Sequence, residues 1–368
     1  MTNKNFQIFF DCGFSKIRAG VFNKGNKNEA FYAESAFFTD YLNLESEIQK
    51  IIASFEKDTN EYIDNINLMI DSPKMLSIGI SLSKKLDGSN LKKTNIQFIV
   101  QEAKQQILKY YKNYDIAHII INNYKIDDVD YSYWPNEIKC HFISLDIIFI
   151  CLPTDLVLYF KNIFSKSNIL INQIICSSYA KSINYRDNLN ISECSSFIDI
   201  GFNKTSIISY FNDDIFFDVL PIGGNHITKD ISMILKIDLE QSEQIKTNFN
   251  KNHKILKQGD NSTKILEKVV FARTDEILKL CVKSVKLNLP ISSPFKIYLM
   301  GEGSKILDNQ LENKTPFLSD IIFLEETLED ICRSGFKFGK GPSKQEVVVV
   351  PKKQKKRGFF EKLFHFFG

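Results

Sequence analysis

FFDCGF at residues 9–14 and FIDIGF at residues 197–202 are two copies of one pattern, 188 residues apart. In each copy an apolar run, typical of a buried strand, ends in an Asp-x-Gly-Phe turn. A lysine follows at the same offset, Lys16 in the first copy and Lys204 in the second. Both copies lead into a strand–turn–strand pattern. A six-residue match can arise by chance, but this shared context favours a duplication. The repeat therefore predicts two similar α/β halves that face each other across a cleft.

The two turns carry groups suited to a phosphate ligand. Each would direct backbone N–H groups, a lysine and an acid toward the shared cleft, and oriented N–H dipoles favour bound anions. The acids, Asp11 and Asp199, are of the type that Mg²⁺ uses, usually through water. A third turn, Gly301-Glu302-Gly303, follows the apolar segment 296–300. Together the three turns predict a clamp for a nucleotide.

The composition is that of a folded globular protein. The chain has 368 residues, of which 43% are hydrophobic and 25% charged, so disorder of the whole chain is excluded and one or two domains are expected. Seven cysteines are widely spread without a CxxC pair, which argues against a disulfide framework or a zinc module and favours reduced thiols in the cytosol. No stretch reaches 18 uninterrupted apolar residues, so no membrane-spanning helix is predicted.

The charge is unevenly distributed. The formal net charge is +3, and residues 352–368 hold six Lys or Arg and one acid. The body is therefore slightly acidic, and the tail carries the positive excess. Because a nucleic-acid-binding body usually has a basic face, nucleic acid is not predicted as a partner. The tail is where an anionic partner would bind.

Local signals set the limits of several elements. The sequence Thr94-Asn95-Ile96-Gln97 reads as a capping box that begins a helix to about Lys112, and Asp238 with Gln241 reads as another. The segment 296–306 predicts a strand entering a glycine turn that begins a helix. After about residue 335 the chain turns to Gly, Lys, Pro and Val, which predicts a linker.

Several segments together resemble FtsA, the actin-like cell-division family. They are the paired turns, PIGGNHITKDI (221–231), SEQIK (242–246), ARTDEI (272–277) and YLMGEGSKI (298–306). The resemblance runs from about Phe6 to the C-terminus. It implies a duplicated α/β nucleotide-binding fold of the actin/Hsp70 type, with an inserted small α/β subdomain and a C-terminal amphipathic helix.

The resemblance also implies a division of the chain. The expected parts are a first actin-like half (1A) at 1–75 and 163–192, an inserted 1C-like subdomain at 76–162, a second half (2A) at 193–226 and 283–335, a partner-binding 2B-like subdomain at 227–282, a linker at 336–356 and an amphipathic membrane helix at 357–368.

Residues that would bind ATP follow from the same resemblance. Those near the phosphates lie in the repeated turns: Gly13, Phe14, Ser15, Lys16, Gly201, Asn203, Lys204 and Thr205. Those near the ribose and base lie further along: Gly223, Gly224, Glu243, Lys246, Gly301, Gly303 and Ser304. Asp11 and Asp199 match the acids near Mg²⁺, which would bind through water. For Glu243 and Lys246, three residues apart, an exposed ion pair on one helix face is the alternative.

The sequence departs from the family pattern at the cleft. Phe202 and Asn203 replace glycines that allow close approach of a backbone, and Phe14 stands where a small polar residue is common. Ser177 and Ser178 stand where the family often has a Glu-Pro pair, whose acid could position the hydrolytic water. We therefore expect weak or absent hydrolysis and predict no catalytic residue.

The C-terminal segment has the pattern of an amphipathic helix. With steps of about 100° per residue, its apolar side chains share an arc of about 160°, and its polar ones lie opposite. The predicted membrane contacts are Lys355, Lys356, Arg357, Phe359, Phe360, Leu363, Phe364, Phe366 and Phe367. Twelve residues span about 18 Å, too short to cross a hydrocarbon core of about 30 Å, so the helix should lie in the interface. The alternative is a helix docked on its own body or in a partner groove.

The resemblance implies a function as a membrane tether. The chain would bind the C-terminal tail of FtsZ through 227–282, where Arg273 matches a family arginine, although pairing with Glu276 is an equal alternative. It would self-associate into protofilaments, bind other division proteins through 76–162, and lie peripherally on the inner face of the cell membrane at the division site. Two alternatives stay open: a related actin-like scaffold of a pilus or secretion machine, and a kinase of the same nucleotide fold.

Overall fold

The computed structural model describes residues 5–26, 29–38, 43–135, 138–191, 194–211, 214–252, 261–288, 295–307 and 321–340. The strands are β1 (Phe6–Cys12), β2 (Ile17–Asn23), β3 (Ala30–Glu34), β4 (Asn65–Ile70), β5 (Leu76–Lys85), β6 (Tyr114–Ile126), β7 (Val129–Tyr131), β8 (Phe142–Pro153), β9 (Leu170–Cys176), β10 (Ser195–Ile200), β11 (Thr205–Phe211), β12 (Asp214–Leu220), β13 (Lys296–Met300) and β14 (Ile321–Phe323). The helices are α1 (Leu44–Thr59), α2 (Lys93–Tyr110), α3 (Thr154–Lys166), α4 (Ser177–Asn188), α5 (Gly224–Leu235), α6 (Leu239–Asn252), α7 (Asn261–Asn288) and α8 (Leu328–Lys340).

Two five-stranded sheets have the same construction. The first has the order β3-β2-β1-β4-β9 and the second β12-β11-β10-β13-β14. In each sheet, the first three strands along the chain form antiparallel pairs with their neighbours. The remaining two strands lie on the other side of the first strand and run parallel to it. The turns that follow β1 and β10 also match, since the Gly13 N–H donates to Lys16 O at 3.0 Å and the Gly201 N–H donates to Lys204 O at 2.9 Å. The predicted duplication into two α/β halves is confirmed.

The first sheet is covered on both faces, which explains its continuous apolar strands. Phe9 and Phe10 are neighbours on β1 and so point to opposite faces. The Phe10 ring meets Phe164 of α3 edge-on at 5.3 Å, and the Phe9 ring meets Phe336 of α8 at 6.2 Å. Helices therefore lie on either side of the sheet, and the core of the first half lies between these layers.

The last described helix differs from the sequence expectation. The segment predicted as a linker from residue 336 begins inside α8, which continues to Lys340 and covers the first sheet. Phe336 stacks on Phe22 of β2 with ring centroids 4.4 Å apart. Glycines in this stretch suggested a linker, yet Gly335 is where α8 packs closely on β1. The chain thus leaves the described body from the first half.

The insert forms a separate four-stranded sheet of order β5-β8-β6-β7 with α2 packed on it. It also contacts the second half: Asn122 Nδ2 donates to Ile215 O at 2.9 Å, and the Ile215 N–H donates to Asn122 Oδ1 at 3.1 Å. The capping box predicted at Thr94 is not the one formed. The N-cap of α2 is Lys92, two residues before Thr94, and Asn95 Oδ1 accepts the Lys92 N–H at 2.9 Å.

Other local expectations have mixed outcomes. Asp238 caps α6, because its Oδ1 accepts the Gln241 N–H at 2.7 Å. The turn after β13 begins a 3₁₀ helix, Glu302–Ile306, rather than an α-helix. Among the described helices, none combines the length and the apolar character needed to cross a membrane. The predicted amphipathic helix at 357–368 lies outside the described residues.

Candidate functional site: the cleft between the halves

Four buried acids meet where the parallel strands of both sheets end. Asp11 and Asp199 are the penultimate residues of β1 and β10, Asp71 directly follows β4, and Glu326 lies three residues after β14. Side chains at the carboxyl ends of parallel strands face the crevice at one sheet edge, so the topology brings these acids together. All four border one small cavity between the sheets. Asp11 and Asp199 were predicted from the turns, whereas Asp71 and Glu326 were not.

Two buried lysines lie between the acids. Lys181 Nζ is 3.0 Å from Asp199 Oδ1 and 3.2 Å from Glu326 Oε1. Lys204 Nζ pairs with Asp71 Oδ2 and lies 3.5 Å from Asp199 Oδ2. The five side chains are only 6–8% exposed. Lys204 belongs to the predicted second turn, whereas Lys181 was not predicted.

The electrostatic balance keeps both lysines charged. Burial alone would lower the pKa of Lys181, but the Asp199 and Glu326 carboxylates hold it above its ordinary value. Lys204 behaves in the same way, with Asp71 and Asp199 as the partners that raise its pKa against burial. Burial would raise the pKa of Asp199, yet the two ammonium groups hold it below its usual range.

Asp11 is engaged on both carboxylate oxygens. Ser177 Oγ donates to its Oδ1 at 2.7 Å, and Arg18 Nη1 lies 3.6 Å from its Oδ2. Burial raises the pKa of Asp11, and Arg18 opposes that shift. Arg18 also crosses the cleft, with its Nη2 at 2.8 Å from Glu302 Oε1. Ser178 supports the neighbouring acid, since its N–H donates to Asp71 Oδ2 at 3.1 Å.

These contacts do not fit the Mg²⁺ ion predicted at Asp11 and Asp199. Both oxygens of Asp199 already face ammonium groups, and those of Asp11 face a hydroxyl and a guanidinium. Ammonium groups this close would repel a divalent cation from the same carboxylates. Within the residues that the structure describes, no three His, Cys, Asp or Glu side chains converge as a metal site. The turns identified the acids, but not the lysines that neutralise them.

Predicted nucleotide residues divide between two adjoining cavities. The inner cavity holds about 90 Å³ and the outer about 680 Å³. Predicted residues on the inner one are Gly13, Phe14, Ser15, Gly201, Asn203, Lys204 and Gly301. Those on the outer one are Ser15, Lys16, Gly201, Gly224, Glu243, Lys246, Gly303 and Ser304. Thr205 and Gly223 line neither cavity: Thr205 Oγ1 donates to Ile222 O at 2.7 Å, behind the turn.

Two glycines are required where backbones approach closely. Gly301 has φ of 86°, a conformation that favours glycine, and its N–H donates to Glu326. A Cβ on Gly223 would lie 2.5 Å from the carbonyl oxygen of Gly201, so only glycine lets α5 approach the second turn. Both positions shape the cleft through the backbone.

The wall of the outer cavity contains the predicted pair Glu243 and Lys246. Lys246 Nζ lies 2.6 Å from Glu243 Oε2, 3.0 Å from Thr228 Oγ1 and 3.1 Å from Gly224 O. Burial lowers the pKa of Lys246, although Glu243 opposes that shift. The pair is therefore a buried ion pair on α6 that hydrogen-bonds to α5, rather than an exposed helix ion pair. The Lys246 ammonium also lies 5.6 Å from the Phe202 ring centroid.

Arg273 lies away from the cleft on α7. Its Nε and Nη2 bond the two carboxylate oxygens of Asp230 on α5 at 2.6 and 3.1 Å, and its Nη1 bonds Glu276 at 2.5 Å. The Glu276 contact predicted as the alternative is present. The sequence did not indicate the salt bridge to Asp230, which joins α7 to α5. A role for Arg273 in partner binding stays a prediction.

Comparison with known proteins confirms the resemblance to FtsA. The family model described as "Cell division protein FtsA" matches residues 196–312. The cell division protein FtsA of Buchnera aphidicola subsp. Schizaphis graminum (strain Sg) is 25% identical over 191 residues, which cover 48% of this chain and 45% of that protein. Its counterpart in Buchnera aphidicola subsp. Acyrthosiphon pisum (strain APS) is 22% identical over 359 residues, covering 83% of this chain and 82% of that protein. The first match thus spans less than half of the relative's length.

The fold is shared with solved structures. The PilM–PilN type IV pilus biogenesis complex has a chain that aligns with a TM-score of 0.63 at 13% identity, covering 90% of this chain and 95% of that chain. At this identity the likeness concerns the fold alone. The chain therefore has the actin-like fold, with two related halves and a small inserted subdomain, and its sequence is similar to FtsA.

Proposed function

We propose that this FtsA-like chain tethers FtsZ filaments to the inner face of the cytoplasmic membrane at the division site. Two features that occur together in this chain support the proposal. The second half of an actin-like body matches the FtsA family model over 196–312, and the same chain ends in a basic stretch followed by the amphipathic segment 357–368. A metabolic kinase of this fold would gain nothing from such a tail.

Membrane anchoring rests on the tail's sequence. Each basic residue near anionic lipid contributes about 1 kcal/mol, and each apolar side chain up to about 1.5–3 kcal/mol if fully buried, less at an interface. The sum favours reversible anchoring. Since α8 ends at Lys340 on the first sheet, the tail leaves from the first half.

FtsZ binding is assigned to the subdomain 227–282, where α5, α6 and α7 pack together. This subdomain exposes several large apolar side chains: Met233, Ile234, Leu239, Ile265, Phe271 and Leu280. Exposed apolar side chains rimmed by charge are typical of peptide-docking surfaces. Among these side chains, Phe271 of α7 is 36% exposed.

Nucleotide binding is supported by the fold, and the outer cavity is where an ATP molecule would lie. Residues from both halves border it, including Lys16 and Lys246. Ser177 and Ser178 hold the acids of the cleft and offer no general base, so we propose that hydrolysis is weak or absent. Self-association into protofilaments, and binding of other division proteins by the insert 76–162, complete the proposal.

The membrane part is tested by co-sedimentation with vesicles that contain anionic lipid. The full chain should pellet, and Leu363→Glu should remain in the supernatant because it places a charge on the apolar face. His365→Glu introduces the same residue on the polar face and should pellet much like the unmodified chain. Equal pelleting of the two variants would contradict an interfacial helix.

The FtsZ part is tested separately, by fluorescence anisotropy with a labelled FtsZ C-terminal peptide. Phe271→Asp should weaken binding, whereas Leu287→Asp should not. Leu287 lies at the far end of the same helix and is 76% exposed, so it serves as the matched control. Equal affinity of the two variants for the peptide would contradict FtsZ binding by the subdomain 227–282.

A further inference from the structure

The salt bridges in the cleft are reciprocal across the two halves. Lys181 lies on α4, which follows directly on β9 of the first sheet, and it pairs with Asp199 and Glu326 of the second half. Lys204 lies in a turn of the second half and pairs with Asp71 of the first. Each half therefore supplies one lysine to the other half's acids.

The burial of these groups couples them to closure of the cleft. Lys204 is 6% exposed at its side chain and also donates to Ser206 Oγ at 2.6 Å, while Lys181 is 8% exposed. A buried ammonium group is tolerated only when carboxylates or other acceptors surround it. Both carboxylates that pair with Lys181 lie on the opposite half, and so does Asp71, which pairs with Lys204. Opening the cleft would therefore separate Lys181 from both of its carboxylate partners and leave Lys204 with Asp199 as its carboxylate partner.

We infer that Lys181 and Lys204 take the place of a divalent cation in this cleft and clasp the two halves closed. Two ammonium charges supply the same positive charge as one Mg²⁺ ion, and they lie on the carboxylates where such an ion would be expected. Closure of the body is then built into the side chains and needs no metal.

The lining of the cleft agrees with this assignment. Lys181 and Lys204 border its inner part together with all four acids. Lys16 and Lys246 border the outer cavity, so a nucleotide there would also lie beside lysines. The clasp involves the cleft alone and is independent of FtsZ and of the membrane.

Metal binding is tested first on the unmodified full chain. Mn²⁺ is titrated with the chain and free Mn²⁺ is followed by electron paramagnetic resonance. We expect no stoichiometric loss of the free signal, and immobilisation of one Mn²⁺ per chain would overturn the inference. In parallel, affinity for a fluorescent ATP analogue is measured with Mg²⁺ and with EDTA. A change below about threefold, or no binding in either buffer, supports the inference, and a larger gain with Mg²⁺ contradicts it.

The lysines are tested by substitution. The double variant Lys181→Met with Lys204→Met frees the carboxylates and should gain a Mn²⁺ site.

In hydrogen exchange without nucleotide, Lys181→Met should exchange faster in peptides 199–206 and 298–306. Lys181→Arg should retain protection, because it keeps the charge. Lys50→Met is the matched control, because Lys50 is 69% exposed and pairs with Glu47 on the same helix, α1. Unchanged exchange in Lys181→Met would overturn the clasp, and the Mn²⁺ titration of the unmodified chain decides the metal question even if a variant does not fold.

Discussion

Replacing Gly335 by alanine should weaken the attachment of α8 to the first sheet. A Cβ at this position would lie 2.4 Å from Met69 Sδ and 2.8 Å from Phe9 Cδ1. Both side chains are fully buried, and the Phe9 ring is held edge-on between Phe22 and Phe336 at 6.1 and 6.2 Å. The new methyl group therefore cannot be accommodated by a movement of Phe9 alone.

The expected magnitude is the difference of two effects. Overpacking of a core typically costs about 1–3 kcal/mol, and alanine in place of glycine within a helix returns up to about 1 kcal/mol. The net loss for Gly335→Ala is therefore about 0–3 kcal/mol. Gly339 is the matched control on the same helix: its Cβ would meet Phe9 Cζ at 3.0 Å, a tight contact but a longer one than those at Gly335, so Gly339→Ala should change stability by less than about 1 kcal/mol.

Urea denaturation of the two variants beside the unmodified chain measures this difference. Hydrogen exchange in α8 shows whether the loss is local, as we expect, since an overlap with β1 loosens that helix first. Gly335→Ala should be the less stable variant, by up to about 3 kcal/mol. If it proved as stable as Gly339→Ala, the close packing of α8 against β1 would be refuted.

Three further predictions concern other parts of the body. Lys181→Met should destabilise the chain by about 3–5 kcal/mol because it leaves buried carboxylates unpaired, whereas Lys50→Met should change stability by less than about 0.5 kcal/mol; urea midpoints compare them. Asn122→Ala removes both hydrogen bonds from the insert to β12 and should speed amide exchange in β12, whereas Asn123→Ala, which loses only an exposed side-chain contact, should not. Burial lowers the pKa of the His226 imidazole, whose Nδ1 accepts a backbone N–H. The neutral imidazole therefore contributes to stability above about pH 6.5, and this contribution is lost as the pH falls through the pKa of His226 in the folded state. An NMR titration of the His226 ring with a midpoint at or above the ordinary histidine value would contradict this.

The sequence predicted the architecture because the architecture repeats locally. Each copy of the motif contains a buried strand, a turn and a hairpin within a few residues, and these signals reproduce the equal strand order of the two sheets. The elements that the sequence did not predict are either short or have an ambiguous pattern. Strand β14 has three residues, and the glycines of α8 resemble a linker until their contacts with Phe9 are seen.

The charges of the cleft could not be read from the turns. Lys204 and Asp71 are 133 residues apart, and Lys181 and Glu326 are 145 apart, so no local pattern links them. The motif indicated carboxylates suited to a metal, but the neutralising ammonium groups come from elsewhere in the fold. Position after a parallel strand is the signal that would have added Asp71 and Glu326.

A membrane tether must join FtsZ to the bilayer through one chain. The most direct measurement is co-sedimentation of purified FtsZ with anionic vesicles in the presence of the full chain or its Leu363→Glu variant. FtsZ should pellet with the full chain and stay in the supernatant with the variant. If the full chain pelleted and left FtsZ in solution, the lipid-binding segment would stand, but the tether would be contradicted.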